Sequence, residues 1–238
     1  MPRWRVTTSL QGASVLVTGA TGGLGSPLTR LLAERGARLT LVARSADRLA
    51  ALAVPGAATL ALDLRRPEAA GQAVEAAVQA HGGLDGVVHA AGVVAFGPAV
   101  DVSDATLTEL FEINVLAPVR VLRAAFPHLR AAAGLGHPAF AVHLSAVVAE
   151  QPVAGMAAYT ASKAALAGFD AAAARELRRA RVRLVDVRPP HTETGLATRP
   201  VAGEAPVLPP GRRPEDVAER ILRAVEDDER DLPSAAFD

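Results

Sequence analysis

The chain has 238 residues, half of them apolar, with 25 basic and 25 acidic side chains and no cysteine. That length suits one large domain or two small ones, and the apolar fraction is enough to bury a substantial core. The balanced charge offers no polyanion-binding surface, so nucleic acid is not an expected partner. The missing cysteine excludes disulfides, thiolate catalysis and cysteine-held zinc or iron–sulfur sites.

The opening "MPRWRVTTSLQG" carries two arginines but no following apolar run of the signal-peptide kind. Later apolar segments are cut by Gly, Arg, Glu or Asp before about 18 residues, so a cytoplasmic protein without a membrane span is expected.

Residues 13–20, "ASVLVTGA", read as a buried strand, and 24–36 follow with helical periodicity and Gly36 as a stop. A second strand is predicted over 37–44, a second helix over 45–53 with Ser45 a candidate N-cap, and a third strand over 57–64. A helix over 66–82 and a strand over 84–92 come next. Residues 103–132 read as a long bent helix, with "FPHL" marking a break or a late turn. A strand at 137–147, a long helix at 156–180, a strand at 181–190 and a helix at 213–229 complete the alternation. A last strand has only the short "RDLPSAAFD" end to draw on. Strands separated by helices need crossovers and therefore mainly parallel pairing. A barrel needs eight such units. The expected fold is therefore an α/β, doubly wound sheet with helices on both faces, forming a single domain over 1–238. The Pro/Gly-rich stretch inside 190–212 suits a loop over a site.

"VLVTGATGGLG" puts Gly19, Gly23 and Gly25 at the first strand–helix junction. Glycine there lets the backbone turn sharply and approach a pyrophosphate, whose charge meets unpaired helix N–H groups. A glycine cluster can also be merely structural. Its place between a strong strand and an amphipathic helix favours the phosphate reading. At the end of the second strand, where an acid would accept from ribose hydroxyls, the chain has Ala43, Arg44 and Ser45. Arg44 can pair with a 2′-phosphate or stand solvated at a strand end, and Ser45 can add a contact or only cap a helix. Joined to the glycine turn, Arg44 makes NADP(H) the preferred cofactor over NAD(H).

Tyr159, the only tyrosine, precedes Lys163 by four residues, so on a helix both face one side. A nearby ammonium stabilises a phenolate and lowers its pKa, which makes proton exchange with a carbonyl or alcohol oxygen feasible. Ser145, at the end of the fifth strand, can hold that oxygen. The bland alternatives are a half-buried tyrosine and a lysine that only snorkels.

In this order, "TGATGGLG" (18–25), Asp63-Leu64, "HAAG" (89–92), Asn114, Ser145, Tyr159-x-x-x-Lys163 and "RPPHTET" (188–194) resemble a classical short-chain dehydrogenase/reductase over about residues 10–230. The resemblance implies a Rossmann-type fold, with Tyr159 as general acid/base, Ser145 as ligand of the substrate oxygen, and Lys163 on the nicotinamide ribose. Asn114 would hold a water in a proton relay. Gly19, Thr21, Gly23, Leu24 and Gly25 would form the phosphate turn, and Asp63 with Leu64 would meet the adenine. Ala90, Ala91, Gly92, Pro189, Thr192 and Thr194 would line the rest of the cofactor, with Arg44 and Ser45 at the 2′-phosphate. Two departures stand out. His89 replaces the usual first Asn and is expected to keep a strand-bridging hydrogen bond, and Pro190 replaces a Gly, which stiffens that wall.

The function implied is NADP(H)-dependent interconversion of a carbonyl and a secondary alcohol on a small substrate, with a wall formed by Val94, Ala146, Val147, Met156, Pro190 and His191. These mainly apolar residues favour an apolar substrate. The alternatives are a related enzyme using the same site for dehydration, epimerisation or cyclisation, or a non-catalytic NADP(H)-binding regulator. No metal is expected from His143, His191 and Glu193. A homodimer or homotetramer, joined through the helices around 103–130 and 156–180, is implied by the resemblance.

Overall fold

The computed structural model describes residues 8–238, so the reading of the opening segment falls largely outside the described residues. Among the described residues there are seven strands: β1 (Ser14–Thr18), β2 (Arg38–Ala43), β3 (Ala58–Ala61), β4 (Gly86–His89), β5 (Phe140–Leu144), β6 (Arg183–Val187) and β7 (Asp231–Leu232). They form one sheet in the order β3-β2-β1-β4-β5-β6-β7. Every pairing is parallel. The short terminal segment does supply the last strand, Asp186 pairing with Asp231 and Val187 with Leu232.

The connecting helices are α1 (Gly25–Glu34), α2 (Ala46–Ala50), α3 (Ala69–His81), α4 (Asp104–Phe111), α5 (Ala117–Gly134), α6 (Ala157–Leu177) and α7 (Pro214–Glu226). Because strand side chains alternate between faces, each strand feeds two cores. Val15, Val17, Val88, Val142 and Val185 pack with α1 and α7. Leu16, Val87, Ala141 and Leu184 pack with α3 and α5 on the opposite face. The chain runs outward from β1 to β3 and then returns to place β4 on the other side of β1. That reversal opens a crevice at the carboxyl ends of β1 and β4, where doubly wound sheets bind ligands.

The expected break at "FPHL" is absent. Pro127 lies inside α5 and faces solvent. The carbonyl one turn back that loses its donor belongs to exposed Arg123, so water can replace the bond at little cost. The irregularity instead falls earlier, as a π-helical turn over Glu112–Leu116 that joins α4 to α5 and contains Asn114. The 195–211 stretch does cross the sheet end. Ala202 bridges Ala95, Val201 N–H donates to the Val94 carbonyl at 2.8 Å, and Phe96 N–H donates to the Ala202 carbonyl at 2.9 Å. Among the described residues, no helix is long and apolar enough to cross a membrane.

Gly86 sits opposite Phe140 across β4 and β5, and a Cβ on it would lie 2.3 Å from the phenyl ring. Gly86→Ala is therefore expected to cost about 1–3 kcal/mol of stability by overpacking, with part regained on adding Phe140→Leu. Urea unfolding of the three proteins measures both effects.

Candidate active site

The loops after β1, β4 and β6 meet tightly at the crevice. Gly19 has φ of +69°, and a Cβ there would lie 2.4 Å from the Ala91 nitrogen. A Cβ on Gly23 would lie 2.4 Å from Thr194, and one on Gly25 only 2.0 Å from the Gly19 carbonyl oxygen. These glycines let three loops close on one another and bring backbone to the start of α1. The first turn of α1 contains no acidic residue. A positively polarised helix end without a competing carboxylate fits the pyrophosphate of a dinucleotide.

On the β2 side, Arg44 is exposed just beyond the strand. Ser45 caps α2, its hydroxyl accepting from Arg48 N–H at 3.3 Å. Arg48 itself reaches back and donates to the Thr21 carbonyl at 2.6 Å, placing a second guanidinium beside the glycine turn. The Asp63 carboxylate is held by Arg65 (Nη2 at 2.6 Å), which is the main reason its pKa falls. Leu64 is buried beside it.

Asn114, Ser145, Tyr159 and Lys163 are all buried at the same end of the sheet. Lys163 Nζ donates to the Leu144 carbonyl at 2.7 Å and lies 5.9 Å from the centre of the Tyr159 ring. Asn114 pairs with the Val93 backbone in both directions, accepting at 3.0 Å and donating at 2.9 Å. Its amide also donates to Ser162 Oγ at 3.0 Å, and Ser162 donates to the Tyr159 carbonyl at 2.7 Å. A Cβ on Gly92 would lie 3.4 Å from Asn114 Oδ1 and 3.5 Å from Lys163 Nζ, so this glycine covers both groups. Pro189 accepts from Val147 N–H at 3.0 Å, and Thr192 donates to the Pro190 carbonyl at 2.8 Å. Ala90 N–H donates to the Thr18 carbonyl at 2.9 Å, tying the β4 loop to β1.

The Tyr159 ring belongs to an apolar cluster with Val94, Phe96, Leu110 and Val148, flanked by Ala146, Val147 and Met156. Burial pushes its phenol above the ordinary value, opposite to the direction expected from the ammonium alone. Burial lowers Lys163 to about 8, while Asp186 and Asp170 hold its charge up. His191 lies outside the apolar cluster. A Cβ on Gly211 would lie 2.8 Å from its ring, and its Nε2 is 3.5 Å from Glu193.

Asp186, Asp170 and the pairing of His143 escaped the motif reading. Ser145 donates to Asp186, and Arg188 donates to the other oxygen of the same carboxylate. His143 Nδ1 meets Asp170 at 2.8 Å, both groups being fully buried. His89 Nδ1 meets the Thr18 hydroxyl at 2.8 Å, which supplies the strand-bridging bond expected at that position. Burial holds the His89 pKa well down, so the ring is neutral. The signals were available: a histidine ending "GVVH", a histidine inside "FAVHL" and an aspartate inside "RLVDV", each among apolar residues, and Asp170 seven residues after Lys163, on the same helix face.

The short-chain dehydrogenase family model matches residues 13–204. The chain belongs to the short-chain dehydrogenase/reductase family. Among its relatives, the ipsdienol dehydrogenase of Ips pini is 30% identical over 208 residues, covering 81% of this chain and 79% of that protein. The ketoacyl reductase HetN of Nostoc sp. is 30% identical, covering 92% and 77%. The 3-ketoacyl-(acyl-carrier-protein) reductase of Brucella melitensis, solved with NADH, superposes with a TM-score of 0.84 at 24% identity, covering 94% of this chain and 97% of that one. A short-chain dehydrogenase of Burkholderia cenocepacia J2315, solved with NADP, gives 0.82 at 24% identity, covering 95% and 90%. Both structures support the fold. Members of this family bind NAD(P)(H) and act on small molecules.

For this short-chain dehydrogenase/reductase the buried ammonium has a measurable signature. An unfolded chain holds the Lys163 proton up to about 10.5, whereas the folded chain releases it near 8. Between these values the unfolded state binds more protons, so this group makes stability rise with pH. The stability of the wild type relative to Lys163→Met is expected to be lowest at pH 7 and to grow by up to about 3 kcal/mol towards pH 10.5. Urea unfolding of the two proteins across that range tests this, and a constant difference would mean an unperturbed lysine.

Proposed function

We propose that the protein is a cytoplasmic NADP(H)-dependent oxidoreductase that interconverts a carbonyl and a secondary alcohol on a small, largely apolar substrate. The observation that carries this reading is the convergence of Tyr159, Lys163, Ser145 and Asn114 beside the glycine turn, with the tyrosine ring set in apolar surroundings. The names of two relatives, a ketoacyl reductase and an ipsdienol dehydrogenase, fit the same chemistry.

Gly19, Thr21, Gly23, Leu24 and Gly25 would hold the pyrophosphate, Ala90, Ala91, Gly92, Pro189, Thr192 and Thr194 the nicotinamide half, and Asp63 with Leu64 the adenine. Arg44, joined by Arg48, would take the 2′-phosphate. Bound nicotinamide supplies the site with a hydride donor or acceptor. In reduction Tyr159 gives a proton to the nascent alkoxide, and Ser145 holds the same oxygen. Lys163 supports the phenolate that remains, offsetting the burial that raises its pKa. Asn114 braces Val93 and Ser162, which fixes the helix turn carrying Tyr159. A cavity of about 320 Å³ beside the site, lined by Phe96, Pro98, Val102, Met156 and Ala158 among others, suits an apolar substituent of the substrate. Self-association as a dimer or tetramer would use the helices around 103–130 and 156–180, which are α4, α5 and α6. On α6, small exposed residues Ala161, Ala164 and Gly168 adjoin the half-exposed ring of Phe169.

Absorbance at 340 nm with NADPH and a panel of apolar ketones tests the activity, with no change for any ketone counting against it. Tyr159→Phe is expected to keep NADPH affinity and lose about 10²–10⁴-fold in kcat. Arg44→Ala is expected to weaken NADPH by about 10–100-fold, the value of a lost charge-assisted bond, and to leave NADH within about twofold. Equal losses for both cofactors in fluorescence titration would remove the assignment of phosphate recognition to Arg44.

A further inference from the structure

Lys163 is the only lysine of the chain, every other member of its 25 basic residues being arginine. It is buried, and its protein contact is a neutral carbonyl, that of Leu144. A buried ammonium stays charged only with negative charge close by. The titratable and charged groups around it are Tyr159 and Asp170 on α6, His143 on β5, Asp186 on β6 and His89 on β4. His89 is neutral and burial keeps Tyr159 a phenol, so the two carboxylates are left to supply that charge. Asp186 gives one oxygen to Ser145 and the other to the guanidinium of Arg188.

Asp170 meets no such cation in contact. It stands seven residues after Lys163 on the same face of α6, and its side chain is 1% exposed. One oxygen meets His143 Nδ1 at 2.8 Å, while Oδ2 has no hydrogen-bond partner among the described residues. His143 Nε2 is likewise buried without a partner. A proton on that nitrogen would be a donor with no acceptor, so the ring is neutral and points its one N–H at Asp170. The carboxylate thus keeps its full negative charge, in an interior where a lone anion is as costly as a lone cation. Each cost is offset if the two charges serve one another. We propose that Asp170 is a positioning residue, the counter-charge that keeps Lys163 an ammonium, with His143 holding the carboxylate in place. The use of that ammonium in proton transfer rests on the oxidoreductase reading above.

A single lysine makes the test direct, because lysine labelled with ¹³C at Cε gives one side-chain signal in the ligand-free protein. Its titration midpoint, set by burial at about 8 in the wild type, should fall by about one pH unit in Asp170→Asn, a tenfold loss of proton affinity. The asparagine oxygen can still accept from His143. A carboxylate that only braces the imidazole would therefore leave the midpoint in place, and that result would overturn the proposal. If Asp170→Asn does not fold, Asp170→Asn combined with Lys163→Met should, since the charge left without a partner is gone. A combined variant that also fails, beside a folded Lys163→Met, would overturn it as well. Turnover supplies a second arm. With NADPH and a ketone that is reduced, the alkaline limb of kcat should move to lower pH in Asp170→Asn, because the ammonium supporting the Tyr159 phenolate is lost earlier. A limb that stays in place while the lysine midpoint falls would overturn the role in proton transfer. Absence of turnover with every ketone, alongside a lowered midpoint, would sink the oxidoreductase reading while supporting the pairing of Asp170 with Lys163.

Discussion

The reacting end of this sheet depends on one buried ammonium. Lys163 is taken out of water by α6 and gives a proton to the carbonyl of Leu144, the last residue of β5. That carbonyl is available because β4 ends at His89, opposite His143, and the chain then turns away through Ala90, Ala91 and Gly92. The lysine thus fastens a helix to the point where the sheet runs out. Tyr159 follows because it stands one turn earlier on that helix, and Ser145 follows because it is the next residue after Leu144. A buried ammonium with one neutral acceptor is expensive. Asp170 and Asp186 make it tolerable, and without them the amine would be neutral at an even lower pH.

The second fixed point is Asn114. Its π-helical turn interrupts what would otherwise be a continuous helix from Asp104 to Gly134, and π-turns tend to mark sites. The extra residue swings the amide inward, where it pairs with both polar groups of Val93 like a short piece of sheet. Through Ser162 the same amide reaches the carbonyl of Tyr159. The loop after β4, the helix pair over that face and the tyrosine turn are therefore held by one side chain. Its donors are both used on protein groups, so a water at this corner would have to be held by backbone or by the second lone pair of the amide oxygen.

The fold was legible in the sequence because strand and helix periods differ and the glycines punctuate them. Every predicted strand and helix exists, most of them shorter at the ends than expected. Proline misled at "FPHL", since sequence alone does not say that Pro127 faces solvent and leaves only an exposed carbonyl unpaired. Pairings that join distant segments were not legible. Arg48 was hidden by sitting in a short helix whose only apparent task was to follow a cap, and Asp186 by sitting in a strand that otherwise reads as pure core. The direction of the Tyr159 shift was misjudged for a related reason. Helical spacing shows that Lys163 shares its face, but the apolar walls that raise the phenol come from the loop after β4 and the turn after β5.

One transverse line of the sheet shows where core ends and site begins. Leu16, Val87, Ala141 and Leu184 lie on the face of α3 and α5 and are wholly apolar. Two residues further along the same strands, still on that face, come Thr18, His89, His143 and Asp186. Polar groups so deeply buried persist only with partners. Thr18 meets His89, His143 meets Asp170, and Asp186 meets Ser145 and Arg188. The two imidazoles touch edge to face with centroids 6.1 Å apart. Because each member is locked by the next element rather than by solvent, the row transmits the rigidity of the sheet to Ser145 and Lys163. An apolar row would pack as well, but it could not keep charge on a lysine that water cannot reach.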